Sequence, residues 1–150
     1  MNAARGRRCW ALAAGCAPSR STGPEPEFCS CDLLRLLNTG HDHANVRITL
    51  LYADHGEVGP YRIVVAPRRL RAIRINDLIF PEAVRLDEAY GLLLESDAPV
   101  VVQFSRQDTR QRANAGAMTF AWPAAPMRSP PARIADGDDA IQSPPSARDG

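Results

Sequence analysis

Short apolar runs separated by turn-forming residues recur along this chain from Trp10 to Trp122, at intervals of about 8–15 residues. No run of about 12 residues in that stretch shows the apolar spacing of an amphipathic helix. The rhythm is typical of an all-β sandwich or barrel. The chain has 150 residues, 45% of them apolar, which is enough for one ordinary core and too few for two comfortable ones. We therefore predict an all-β fold, a single β-sandwich of about eight strands.

Alternation of apolar and polar residues is clearest in the third predicted strand, where Val46, Ile48 and Leu50 alternate with a mixed face. Residues 99–106 begin apolar on both faces, which suits a central strand. The segment 33–37 fits a helix equally well by periodicity, and its length and the following Asn-Thr-Gly favour a strand. The predicted strands span residues 8–14, 31–38, 45–53, 60–66, 69–75, 90–96, 99–106 and 115–121, with turns near Asp97–Pro99 and Asn114–Gly116 among others.

Proline marks the expected end of the folded domain. Six of the 13 prolines lie at or after Pro123, in a segment that is otherwise rich in Ala, Asp and Ser. Such a segment buries too little apolar surface to offset the entropy lost on ordering. We therefore expect the β-sandwich domain to occupy residues 8–122, and residues 123–150 to form a disordered Pro-rich tail.

Arginine is the only strong cation of this sequence, since all 18 basic residues are arginines. A lysine Schiff base and a P-loop lysine are thereby excluded. The net charge of +1 argues against strong nucleic-acid binding, although the charges lie in blocks. Residues 58–76 hold five arginines and no acid, whereas residues 77–97 hold six acids and one arginine. Such blocks are solvated faces or a subunit-pairing surface, or else some arginines, Arg62 and Arg74 among them, line an anion or polyol site.

The N-terminal segment has two interpretations. Arginines followed by Cys9–Cys16 imitate an export signal with a lipoprotein-type cysteine, yet the apolar stretch is at the short limit for such a signal. The alternative, which we prefer, is a first β-strand led by a short basic arm. The four cysteines show no zinc-type spacing, so free thiols and a cytoplasmic location are expected.

An Arg-x-Asp-x-Arg unit after the central strand is the first candidate ligand-binding site. Arg106, Asp108 and Arg110 would share one face if the strand continued, and an acid between two guanidinium groups would stay ionised and accept a ligand hydroxyl. The alternative is an internal salt-bridge cluster that holds a loop or a neighbouring subunit. Gln103 would lie on the face opposite Val102 and Phe104, where a polar amide needs a partner.

A second candidate lies at the end of the arginine-rich segment. Asn76 and Asp77 form an Asx-type turn first of all, and beside Arg74 they also offer the mixed donors and acceptors that read sugar hydroxyls. Trp10 could supply a surface for stacking a sugar ring, although a Trp in a first strand is more often part of the core, as is Tyr61.

Metal and catalytic sites are not expected. His41, His43 and His55 lie in or beside predicted turns, without the spacing that fixes a zinc tetrahedron. Ser105 and Asp108 have no adjacent histidine, and no paired-carboxylate or phosphate-loop motif is present. We therefore predict no cofactor, no metal and no enzymatic activity. A sugar-modifying enzyme stays open only if two carboxylates converge in a cleft near Arg106.

Seven segments, which follow one another in order between about Arg8 and Trp122, a stretch of about three quarters of the chain, together resemble the sensory rhodopsin transducer family. The cysteines and the Pro-rich tail are not part of the resemblance. The segments are Cys9–Gly15, Gly23–Phe28, Leu37–Gly40, Gly59–Arg62, Arg74–Leu78, Pro99–Gln103 and Arg106–Gln111. The resemblance implies a compact β-sandwich similar to carbohydrate-binding modules, assembled as a cytoplasmic homotetramer that binds sugars or related polar metabolites. It also implies, for the founding member, association with a membrane photoreceptor.

The leading hypothesis is therefore a non-enzymatic, tetrameric module that binds a small polar ligand, carbohydrate-like or anionic, and relays that binding to a partner. The alternative is a soluble transducer whose arginine-rich segment 62–74 docks on a membrane photoreceptor, or weakly on DNA.

Overall fold

Within residues 4–25, 28–111, 115–120 and 122–123, which the computed structural model describes, the chain forms eight β-strands and no α-helix. A single 3₁₀ turn spans Ile75–Asp77. The prediction of an all-β fold is confirmed. The strands are β1 (Arg7–Gly15), β2 (Cys31–Leu37), β3 (Ala44–Tyr52), β4 (Glu57–Val65), β5 (Leu70–Arg74), β6 (Tyr90–Asp108), β7 (Ala115–Phe120) and β8 (Trp122–Pro123).

The strands form one hydrogen-bonded, antiparallel sheet whose two halves share β6. In the first half the order is β4-β3-β6-β1-β8. In the second half β2 and β7 pair with the later part of β6, and β5 pairs with β2. Side chains of both halves enter one core, among them Ile48 and Leu94 from the first half and Leu34 and Phe104 from the second. The sheet therefore curls around a single apolar centre.

Strand alternation decides which side chains enter this core. In β3, Val46, Ile48 and Leu50 are buried, whereas Arg47 and Leu51 on the other face are exposed. The same period holds in β2, which confirms that the ambiguous segment 33–37 is a strand. Because the period is two, every second residue of a strand is committed to the interior whatever its polarity.

The predicted strands 90–96 and 99–106 are one strand, so the prediction of two separate strands is wrong. A straight strand would place residues 90 and 106 about 50 Å apart. Yet the Tyr90 hydroxyl and Arg106 Nε each lie 2.8 Å from a carboxylate oxygen of Asp32. The strand must therefore fold back on itself.

The bend in β6 lies where a turn was expected, near Asp97. The pairs Cys9 with Glu95 and Arg7 with Val100 show a step of two residues along β1 against five along β6. Asn45 donates two hydrogen bonds to the Asp97 carboxylate at this point, from its backbone N and its side-chain amide. Backbone pairing continues on both sides of the bend, which is why one strand serves both halves of the sheet.

The N-terminal segment forms β1 and pairs with β6 on one side and β8 on the other, as the strand interpretation predicted. All four cysteines are free thiols. Burial raises the pKa of the Cys29 and Cys31 thiols above the usual value. Within the described residues, no helix has the length and apolar character needed to cross a bilayer.

The C-terminal end of the described chain is β8, where Trp122 and Pro123 pair with Ala11 and Trp10. Apart from Pro123, the predicted disordered tail 123–150 lies outside the described residues, as does Asn114 of the expected turn.

Gly15 allows β1 and β6 to meet closely. A Cβ atom at this position would lie 2.1 Å from Cζ of Tyr90, which is closer than any real contact. The Tyr90 ring cannot easily move aside, because its hydroxyl donates to Asp32 and the side chain is buried. Gly56, by contrast, has no atom within 4 Å of its would-be Cβ.

Substitution of Gly15 tests this contact. We expect Gly15→Ala to lower the free energy of unfolding by about 1–3 kcal/mol, because overpacking must displace a tethered ring. The matched control Gly56→Ala should change it by less than about 0.5 kcal/mol. Urea unfolding of both variants measures the difference, and equal effects at the two glycines would contradict the close approach.

Candidate functional site

A buried carboxylate lies where the two ends of β6 meet. Asp32 is 0% exposed and accepts four hydrogen bonds, which together with its donors we call the Asp32 network. Arg106 donates from Nε at 2.8 Å and from Nη2 at 3.2 Å, and Tyr90 donates from its hydroxyl at 2.8 Å. The backbone N–H of Cys16 donates the fourth bond at 2.8 Å. Both carboxylate oxygens therefore have partners without water.

Local structure brings these groups together. Asp32 occupies an inward position of β2, in phase with Leu34 and Leu36. Its backbone N–H donates to the side-chain oxygen of Asn76 at 3.1 Å, and the Asn76 amide donates to the Pro18 carbonyl at 3.0 Å. Asn76 therefore joins the 3₁₀ turn to β2 and to the β1–β2 connection through hydrogen bonds.

The network shifts the pKa values of its donors. The hydrogen bond to Asp32 is the main cause that raises the pKa of the Arg106 guanidinium. Burial, followed by the nearby Asp32 charge and the hydrogen bond to it, raises the pKa of the Tyr90 hydroxyl. Both groups therefore hold their protons at physiological pH and act as permanent donors to Asp32.

A second group of charges lies beside this network and is exposed. Arg110 donates from Nε to the two Asp108 carboxylate oxygens at 2.9 and 3.0 Å, and its Nη1 lies 4.0 Å from Asp87. Asp87 also accepts hydrogen bonds from the backbone N–H and the hydroxyl of Ser19. We call Ser19, Asp87, Asp108 and Arg110 the charged rim. Side-chain exposures of 46% for Arg110 and 48% for Asp87 leave it open to solvent.

The rim carboxylates are strongly acidic. Hydrogen bonds from Arg110 are the main cause that lowers the pKa of Asp108 to about 2. Hydrogen bonds from Ser19 are the main cause that lowers the pKa of Asp87. At neutral pH the rim therefore presents one guanidinium group and two carboxylates, a mixed set of donors and acceptors.

The Arg-x-Asp-x-Arg unit is divided between these two groups. Arg106 turns inward to the buried Asp32, so Asp108 is not held between two hydrogen-bonding guanidinium groups as expected. Asp108 is bonded by Arg110 alone of the two arginines. The reason is that a buried carboxylate attracts a half-buried cation more strongly than a solvated carboxylate does. Local spacing could not reveal this partner, because Asp32 lies 74 residues before Arg106 in the sequence.

The second candidate site does not form one cluster. Arg74 lies on the outer face of the second half of the sheet. Gln103, which was predicted with the first candidate site, lies on the same face, where Arg35 donates to the Ser105 hydroxyl at 3.2 Å. Asp77 forms an exposed ion pair with Arg74 at 3.7 Å, whereas Asn76 turns inward to Asp32 and Pro18.

The remaining candidates lie apart from the rim and the Asp32 network. Arg62 is exposed on β4, opposite Arg47. Trp10 packs against the core, and its indole N–H points to the carbonyls of Arg7 and Val100, each at 3.1 Å. Tyr61 is buried and donates to the Glu82 carbonyl at 2.6 Å, and burial is the main cause that raises its pKa to about 12.

The length of β3 separates the histidines into two groups. His41 and His43 precede its first residue, and His55 follows its last. In the part of the chain that the structure describes, no three His, Cys, Asp or Glu side chains are grouped as metal ligands.

Asp32, Tyr90 and Asp87 were absent from the predicted site. The sequence contained one signal for Asp32. It is an acid at the second position of β2, on the same inward face as Leu34 and Leu36. A carboxylate committed to the interior requires a cationic or hydrogen-bonding partner. Which partner it finds depends on the bend of β6, which alternation does not reveal.

The sequence and structure of this chain are similar to those of known proteins. The family model described as Anabaena sensory rhodopsin transducer matches residues 5–123. A solved structure of the Anabaena sensory rhodopsin transducer is 40% identical, covers 69% of this chain and 99% of its own, and superposes with a TM-score of 0.63. The crystal structure of Thermotoga maritima 1070 is 28% identical, covers 83% of this chain and 97% of its own, and has a TM-score of 0.69. No curated protein sequence matches significantly. The resemblance predicted from the sequence motifs is confirmed.

Removal of the buried carboxylate tests the Asp32 network. We expect Asp32→Ala to lower the free energy of unfolding by about 3–5 kcal/mol, because Arg106 keeps its charge and loses its partner. The control Asp77→Ala removes a carboxylate that is 63% exposed, and should cost less than about 1 kcal/mol.

A milder variant covers the case in which Asp32→Ala does not fold. Tyr90→Phe removes only the hydroxyl that donates to Asp32, and should cost about 1–3 kcal/mol. Chemical denaturation measures all three variants. If the Tyr90→Phe protein is as stable as the parent, the hydrogen bond from Tyr90 to Asp32 does not contribute to the free energy of unfolding, which contradicts this part of the network.

Proposed function

Because this chain belongs to the Anabaena sensory rhodopsin transducer family, we propose that it is a non-enzymatic signalling module that binds a small polar ligand. In this proposal it acts as a cytoplasmic homotetramer, and the ligand is carbohydrate-like or anionic. The ligand binds at the charged rim, and its binding is relayed through contacts between subunits or with a partner.

The observation that carries this proposal is the exposed rim on a rigid, buried base. Arg110 supplies a planar fork of donors, and Asp87 and Asp108 supply ionised acceptors beside it. A carbohydrate hydroxyl both donates and accepts hydrogen bonds, and a ligand carboxylate or phosphate is matched by the guanidinium fork. Two residues before Asp108, Arg106 is anchored to Asp32, so the rim's position is set by the interior.

The connectivity of the rim supports a relay. Ser19 belongs to the β1–β2 connection, Asp87 to the segment before β6, and Asp108 to the end of β6. A ligand that bridges these three segments would favour the arrangement in which they lie close together. A change of population between arrangements, rather than a chemical step, is then the signal.

The state of the carboxylates supports the absence of catalysis. The acids that Arg106 and Arg110 contact are Asp32, Asp108 and Asp87. Asp32 is completely buried and its oxygens accept four hydrogen bonds, so it has no access to a substrate proton. Asp87 and Asp108, the two exposed acids beside Arg110, both have lowered pKa values, so neither carries at neutral pH the proton that the general acid of glycoside hydrolysis donates.

A thermal-shift screen tests ligand binding. We expect one or more compounds among sugars, sugar acids and nucleotides at about millimolar concentration to raise the melting temperature by a few degrees, since a ligand of the folded state stabilises it. Arg110→Gln should abolish most of the shift. The control Arg47→Gln breaks another exposed ion pair, with Glu95 at 3.0 Å, and should keep it. No shift with any compound, in a protein whose tetramer is intact, would count against the proposal.

A second candidate function is docking on a membrane photoreceptor, favoured by the surface around β5. Arg62, Arg69 and Arg71 are exposed, and within the described ranges they form no ion pair. Arg71 donates to the Val64 carbonyl, and Val64 and Leu70 are 46% and 60% exposed. Arginines near an anionic leaflet contribute about 1 kcal/mol each, which suits a module that lies on the membrane beside its receptor.

Binding to a sensory rhodopsin in anionic nanodiscs tests this second candidate. We expect Arg69→Gln combined with Arg71→Gln to weaken binding by about tenfold or more, and added salt to weaken it further. The control pair is Arg110→Gln with Arg20→Gln, where Arg20 is an exposed residue next to Ser19 whose charge acts on Asp87. It removes the same total charge in and beside the charged rim, and should leave docking unchanged. Equal loss in both variants, or binding independent of salt, would contradict docking through this surface, and duplex DNA should bind weakly or not at all.

A further inference from the structure

A cleft of about 320 Å³ lies where β3 ends and β6 begins, outside the charged rim. Its walls come from the connection after β3 and from the two residues before Tyr90. The lining residues are Tyr52, Ala53, Asp54, His55, Glu88 and Ala89. Asp87, the neighbour of Glu88, faces Ser19 and Arg110 instead. The cleft and the rim therefore share no side chain.

The charges that line this cleft are predominantly negative. Asp54 and Glu88 each supply a carboxylate, and the only ionisable base among the lining residues is His55, whose Nε2 lies 3.5 Å from Glu88. Arg85 is not a lining residue, although its guanidinium group lies 6.0 Å from the centroid of the Tyr52 ring; Glu82, 3.6 Å away, balances its charge. A cation that enters the cleft would meet two acids and one weak base.

The cleft suits an organic cation better than a metal ion. Across the described residues, no group of three His, Cys, Asp or Glu side chains is arranged to hold a metal. The volume, by contrast, is within the range of small-molecule sites. A ligand that also carries hydroxyl groups could use the second carboxylate and the imidazole as acceptors and donors.

The wall of the cleft is rigid. The Tyr52 ring packs edge to face against His55 and Tyr90, with centroids 6.3 Å apart in each case. Its hydroxyl accepts a hydrogen bond from the Arg85 backbone N–H at 3.1 Å. Tyr90 in turn is held by Asp32. The Tyr52 wall of the cleft is therefore held by His55, Tyr90 and the Arg85 backbone, and a preformed wall lowers the entropy lost when a ligand binds.

We propose that this acidic cleft, lined by Asp54, His55 and Glu88 over Tyr52, binds a small hydroxylated organic amine through its ammonium group. Glu88 exchanges its contact with His55 for the ligand ammonium, and the freed imidazole remains available to a ligand hydroxyl. This site is separate from the charged rim, and its charge selects against the anionic ligands that the rim can accept.

Three matched probes test the charge preference, namely glucosamine, glucose and glucuronate, which differ mainly in carrying an ammonium, no charge or a carboxylate. We expect glucosamine to bind at about millimolar concentration, glucose about five- to tenfold more weakly, and glucuronate not at all. Isothermal titration of the full chain carrying Arg110→Gln, which removes the guanidinium group of the charged rim, makes the comparison for the cleft alone. Equal affinities for the three probes, or no binding of glucosamine, would overturn the proposal.

Two variants place the binding in this cleft. Glu88→Gln should weaken glucosamine binding by about five- to tenfold, whereas Glu57→Gln, an exposed acid outside the cleft, should not change it. Arg110→Gln should also leave it unchanged, which separates this proposal from ligand binding at the charged rim. Loss of glucosamine binding in Arg110→Gln with retention in Glu88→Gln would overturn the cleft while leaving the rim intact.

The histidines provide a readout that does not depend on affinity. Glucosamine should shift the imidazole resonances of His55 and leave those of His41 and His43 in place, because these two lie beyond the other end of β3. Equal shifts at all three histidines would show non-specific binding and overturn the proposal.

Discussion

The buried carboxylate of Asp32 connects several parts of this protein that are far apart along the chain. It accepts hydrogen bonds from both ends of β6 and from the backbone that follows β1, and its own N–H bonds to the 3₁₀ turn after β5. A carboxylate removed from water costs several kcal/mol unless charge and hydrogen bonds compensate. Arg106, Tyr90 and Cys16 provide that compensation only when β6 is bent, so the network favours this particular curl of the sheet.

The two proposed binding surfaces both lie near this anchor. The charged rim begins two residues beyond Arg106, and the acidic cleft is reached through Tyr90, against which Tyr52 packs. The two surfaces differ in their charged groups: the rim combines Arg110 with two carboxylates, whereas the cleft has two carboxylates and a histidine but no arginine among its lining residues. In these proposals, two chemically different surfaces depend on the same buried group.

Much of the fold could be predicted from the sequence, and little of the site. Alternation located seven of the strands near their observed positions, and the turn expected at Asp97 marks the bend of β6. The Arg-x-Asp-x-Arg unit was predicted to act as one group, yet in the structure its two arginines bond different carboxylates. Local spacing predicts which residues share a face of a strand, and it carries no information on which distant side chain will lie opposite. Asp32, Tyr90 and Asp87 were missed for that reason.

The sequence by itself determined the all-β class, the family, and the inward or outward position of most strand residues, because these depend on a two-residue period and on ordered motifs. Only the tertiary structure decided that Arg106 would belong to the interior and Arg110 to the surface. The physical reason is electrostatic: a buried carboxylate must be neutralised by whichever cation the fold brings to it, and the bend of β6 brings Arg106. The same bend brings Tyr90 beside Tyr52 and so forms the support of the acidic cleft.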